Sequence, residues 1–118
     1  MMTRAQIDSI CAAHPGATPS EPGQIDSWKV GGKSFVHFGG TGTGTRISVK
    51  TPDADTAAML IDMGVAVRSP SFPPAWVRLH LDELDPDEAA HRIAVSYDTI
   101  RRSLPASVRA TLPDQETV

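Results

Sequence analysis

Lysine, arginine and tryptophan are the side chains that hold phosphates and stack on bases, and here they fall in two acid-free stretches. Trp28 to Lys50 carries Lys29, Lys33, Arg46 and Lys50, and Met63 to Leu81 carries Arg68 and Arg78 with Trp76 between them. The acids gather elsewhere, at Asp53, Asp55 and Asp62 and then from Asp82 to Glu88. A net charge of −3 and a pI near 5.7 exclude a chain that is basic throughout, so a polyanionic partner would have to be met by a local patch. Lys29, Lys33, Arg46, Lys50, Arg78 and Trp76 are the candidate binding set. A solvated sheet face, with Trp76 packed at its edge, fits the same residues.

Other chemistries find less support. Gly32-Lys33-Ser34 imitates the end of a phosphate loop, yet position 27 is serine where that loop needs glycine, and a strand-like run follows where it needs a helix. The glycines of Gly39 to Thr45 precede no helix start and read as a hairpin tip. Cys11 falls on an apolar helical stripe, as a small core residue would, and as a lone cysteine it has no internal disulfide partner. His14, His37, His80 and His91 are scattered without ligand spacing. The acids from Asp82 to Glu88 suit the start of a helix better than a cation site. The expectation is therefore a binding protein and not an enzyme, with no cofactor and no metal.

The elements that position these residues follow from caps and periodicity. Thr3 and Gln6 form a capping-box pair, with Met2 and Ile7 as a staple, so a helix begins at Thr3 and ends at Pro15-Gly16. Ala17 to Ile25 reads as a loop. Trp28–Val30 and Ser34–Phe38 are strands joined by the Gly31-Gly32 turn, and Arg46–Lys50 alternates Ile47 and Val49 with Arg46, Ser48 and Lys50. Thr51 as cap and Pro52 as first residue predict a helix from Pro52 to Met63, stopped by Gly64. Val65–Ser69 and Ala75–Leu81 are strands flanking the turn PSFPP. A long last helix starts at Asp85-Pro86, with Glu88 as capping-box partner, and buries Ala89, Ile93, Tyr97, Ile100 and Leu104 before Pro105. This order predicts an α+β two-layer α/β sandwich: a twisted antiparallel sheet with helices on one face and its other face open to solvent.

Several blocks together resemble the MmcQ/YjbR family: HPG at His14 to Gly16, VGGKSF at Val30 to Phe35, ISVKTPDADTAAML at Ile47 to Leu60, AWVRLHLD at Ala75 to Asp82, and SYDTIRRSLP at Ser96 to Pro105. The resemblance implies a CyaY-like fold, described for that family as a double-wing DNA-binding motif in which sheet hairpins act as wings. Three positions depart from the family pattern: His14 stands where leucine is usual, and Ala106 and Ser107 stand where basic residues are frequent. The expectation for the whole chain is one domain over residues 1–112 and a tail over 113–118, located in the cytoplasm without a membrane segment. Its partner would be DNA, bound weakly through phosphates, or alternatively a protein; the oligomeric state is not written in the sequence.

Overall fold

The computed structural model describes residues 2–39 and 46–113. Thr3 caps α1 (Arg4–Ala12): its side chain accepts from the Gln6 amide, and the Gln6 side chain accepts from the Thr3 amide at 2.8 Å. Three strands follow, β1 (Ala17–Pro19), β2 (Ser27–Val30) and β3 (Lys33–Phe38), and then β4 (Arg46–Lys50). Helix α2 (Ala54–Asp62) leads to β5 (Val67–Arg68) and β6 (Trp76–His80), and the chain closes with α3 (Pro86–Ser103) and the single turn α4 (Ala106–Arg109).

The six strands form one sheet in the order β1-β2-β3-β4-β6-β5, and every neighbouring pair is antiparallel. Because side chains alternate along a strand, one face carries Trp28, Val30, Val36, Ile47, Val49, Val77 and Leu79. These join Ile7 and Cys11 of α1, Ala57 and Leu60 of α2, and Ala89, Ile93, Tyr97 and Ile100 of α3 in one core. Each fully buried aliphatic side chain there contributes about 1.5–3 kcal/mol relative to exposure. Helices on one side of a sheet, with the core between, make the α+β sandwich.

The register contains one irregularity with structural consequences. Trp28 pairs with Val36 while Lys29 pairs with Ser34, leaving Phe35 as a bulge. Where the β3–β4 ladder stops beyond Val36 and Val49, the buried Ser96 hydroxyl of α3 donates to the Phe35 carbonyl at 2.6 Å and accepts from the Lys50 amide at 2.9 Å. A helix side chain thus completes the backbone pairing of two strands that separate around it.

Several expectations are corrected. Ala17–Pro19 is an edge strand; Pro19 sits there without loss because an edge has room for a residue with no N–H to donate. The α2 cap is Asp53, whose carboxylate accepts from the Thr56 amide at 2.7 Å, while the Thr51 hydroxyl donates to the carbonyls of Asp53 and Ala75. Glu88 pairs with Arg92 at 2.9 Å and does not close a box on Asp85, whose side chain accepts from the Asp87 amide. The strand expected over Val65–Ser69 shrinks to two residues, and α4 follows Pro105 where none was foreseen. Most of the glycine-rich hairpin tip and the tail beyond Pro113 lie outside the described residues.

Candidate nucleic-acid interface

The sheet face opposite the helices is built by register. Ser48 pairs with both His37 and Arg78, Lys50 with Trp76, and Arg46 with His80, so His37, Arg46, Ser48, Lys50, Trp76, Arg78 and His80 share it. Lys29 joins them from β2, one alternation from Ser27, which pairs with His37. The structure therefore brings Lys29, Arg46, Lys50, Arg78 and Trp76 onto one surface spanning β2, β3, β4 and β6. Lys33 does not lie there. It flanks the Gly31-Gly32 turn opposite Val30, and since cross-strand partners share a face, it follows Val30 to the helix side, where it is exposed.

This face is not open as expected. Ser69 follows β5, yet its hydroxyl lies 2.6 Å from that of Ser48 on β4, two strands away; both serines are buried, at 0% and 2% exposure. Phe72, three residues on, meets His37 on β3 at 5.0 Å between ring centroids. The segment from Ser69 to Ala75 thus leaves the edge of the sheet, crosses over β6 and β4, and returns at Trp76. Ser71 within it adopts a left-handed backbone (φ 68°), unusual for a residue with a side chain. Sequence gives no sign of this crossing, because a proline-rich turn between two strands suits a short hairpin equally well.

The crossing segment assembles an aromatic trio that sequence reasoning did not join. His37, Phe72 and Trp76 lie with centroids 5.0–5.5 Å apart, all three half-buried. Phe72 approaches Trp76 at 41°, and His37 meets each ring edge-on. Burial pushes the His37 imidazole below its ordinary pKa, and the nearby Lys29 charge pushes it in the same direction. His37 alternates with Val36 and Phe38, which was its only signal in the sequence.

Among the described residues, no carboxylate pairs with the cations of this face. The ion pairs among the described residues are Arg4 with Asp8 and Asp26, Arg92 with Glu88, and Arg102 with Asp98, none of them on this face. Among the described residues the Lys29 ammonium donates only to the Gln24 amide oxygen, at 3.3 Å. Arg78 reaches across β4 until its Nη2 lies 3.7 Å from the point where a side chain at Gly39 would begin, which places the guanidinium against the end of β3. The buried Nε of Arg78 and Nδ1 of His37 have no hydrogen-bond partner among the described residues.

The other reactive side chains serve the fold. Cys11 is fully buried, and burial, with Asp8 adding to it, pushes its thiol up to about 12, which keeps it protonated. His14 stacks on Tyr97 at 4.6 Å, and its burial lowers its pKa. The hydroxyl of Tyr97 donates to the Pro15 carbonyl, and buried Arg101 donates to that hydroxyl at 2.8 Å and to the Pro113 carbonyl at 2.7 Å. Among the described residues no three His, Cys, Asp or Glu side chains are grouped as metal ligands, and no helix is long and apolar enough to cross a membrane.

A family model described as YjbR matches residues 12–99, about three quarters of the chain. No curated protein matches. The matched span holds the whole cationic face and the crossing segment, and the chain belongs to the YjbR family.

Proposed function

We propose that this YjbR-family protein is a non-catalytic nucleic-acid-binding domain that holds phosphates through Lys29, Arg46, Lys50 and Arg78, with little sequence specificity. One observation carries the reading: four cations on one sheet face, none paired with a carboxylate among the described residues, on a chain whose net charge is −3. Selection for solubility alone would intersperse acids among them. Phosphate contacts of this kind depend on salt. If each of the four cations neutralises one phosphate, log K against log salt has a slope of about −3.6 on duplex DNA, and the double variant R46E/K50E weakens binding and makes the slope shallower by about two. Charge reversal at Lys33 has a smaller effect, since Lys33 lies off the face. Titration of a labelled duplex between low and moderate salt measures all three; binding that ignores salt, or that survives R46E/K50E undiminished, overturns the reading.

The alternative of a protein-interaction module has its own support in exposed apolar side chains at the far edge of the molecule. Met59 and Met63, one helical turn apart at the end of α2, are 51% and 65% exposed, and Val67 on edge strand β5 is 43% exposed. Recovery of a partner protein from nuclease-treated lysate that is lost in M59E/M63E would favour it.

A further inference from the structure

Phosphate contacts alone leave the aromatic trio without a role, and the trio stands among the cations. Lys50 lies directly across the ladder from Trp76, and Arg78 follows Trp76 by two residues on the same strand and face. Lys29 is close enough to His37 to lower its pKa. Cations on β2, β4 and β6 thus surround rings on β3 and β6, with Lys29 and Lys50 two inter-strand steps, roughly 10 Å, apart.

A duplex presents phosphates to such a surface and keeps its bases stacked inside, so the rings would meet only sugar and phosphate. A single strand offers both groups, since its unpaired bases can lie against aromatic rings while neighbouring phosphates meet lysine and arginine. The segment from Ser69 to Ala75 reinforces the distinction. It stands above the sheet, pinned by the Ser48–Ser69 contact and by the Thr51 amide and hydroxyl, both of which donate to the Ala75 carbonyl at 2.8 and 2.7 Å. A raised ridge beside the rings suits a flexible strand laid along it better than a stiff duplex laid across it.

Resting on the nucleic-acid reading above, we infer that the ligand of this face is single-stranded nucleic acid, with an unpaired base stacked on the Trp76–Phe72 pair and the adjoining phosphates held by Lys50, Arg78 and Lys29. DNA and RNA single strands share this chemistry.

Four probes of equal length test the inference on the full chain: oligo-dT, oligo-rU, a mixed-sequence duplex, and an abasic oligomer that keeps the phosphates and lacks bases. The inference expects at least one single strand to bind about tenfold or more tightly than the duplex and the abasic oligomer. Tryptophan emission falls on binding, since Trp28 is buried with its Nε1 donating to Asp8 and Trp76 is the indole on this face. W76A loses about tenfold in single-strand affinity while W76F, which keeps a flat ring, retains most of it. F72A provides a second variant on the crossing segment and loses affinity in the same direction. Equal binding of duplex and single strand, or of the abasic oligomer and oligo-dT, overturns the inference and leaves phosphate-driven binding intact. Absence of binding to all four probes at low salt overturns both. The arm that binds more tightly, dT or rU, names the natural source.

Discussion

Ser96 illustrates how much one side chain can carry. Its hydroxyl satisfies the Phe35 carbonyl and the Lys50 amide, two backbone groups that the separating strands leave without each other. Ser96→Ala leaves both groups without partners, and since each unsatisfied group costs about 1–3 kcal/mol, the variant should lose about 2–6 kcal/mol in urea unfolding. A loss below about 1 kcal/mol would show that the ladder closes without the serine. The site residues divided in the same way between local and distant causes. Arg46, Lys50, Trp76 and Arg78 were legible as one face because Ile47 and Val49 alternate with Arg46, Ser48 and Lys50 along β4, and Val77 and Leu79 with Trp76, Arg78 and His80 along β6. Lys33 left the set because the pairing of Val30 with Lys33 across the turn decides its face. Ser48 and Ser69, 21 residues apart, had no sequence signal at all.

At the scale of elements, the Gly31-Gly32 turn joins the binding face to the end of the long helix. Both glycines have positive φ, 58° and 83°, which suits a two-residue hairpin turn. They differ in what surrounds them. A Cβ on Gly31 would lie 2.5 Å from Leu104 Cδ1 and 3.0 Å from Val108 Cγ1, whereas a Cβ on Gly32 meets nothing within 4 Å. Gly32→Ala should therefore cost only the left-handed strain, about 1–2 kcal/mol. Gly31→Ala adds overpacking against Leu104 and Val108 and should cost about 1–3 kcal/mol more. Equal midpoints for the two variants in thermal or urea unfolding would contradict this close approach of helix to turn. The turn itself was readable from its dipeptide; α4, which places Val108 there, was not, because one helical turn after a proline carries too little periodicity. Edge strand β1 was hidden likewise, since its three residues take their conformation from pairing with β2 and not from their own propensities.

For the whole molecule, the buried titratable groups set a window of stability in pH. His14 and His37 have pKa values lowered from 6.5 by burial, so below that value the unfolded chain binds protons that the folded chain resists. Stability from this source is full above pH 6.5 and is lost as pH falls through it toward the folded values. Asp26, held low by the Arg4 guanidinium, and Asp53, held low by the Thr56 amide, add a second acid loss that begins as pH falls below 3.8. Cys11 acts on the other side. Its thiol rises from 9.0 to about 12 in the fold, so stability declines as pH climbs above 9, where the unfolded chain releases a proton that the folded chain keeps. The stability curve should be flat between about pH 7 and 9 and fall on both flanks. Urea midpoints at pH 5.5, 7.5 and 10 measure it, and two substitutions assign the flanks. His14→Phe preserves a ring against Tyr97 and should narrow the gap between pH 7.5 and 5.5, with His37 accounting for the remainder; Cys11→Ala lowers stability at every pH but removes the decline between 7.5 and 10. If His14→Phe keeps the full acid gap, the imidazole beside Tyr97 takes up its proton in the fold as readily as in the unfolded chain, and the acid flank belongs to other groups.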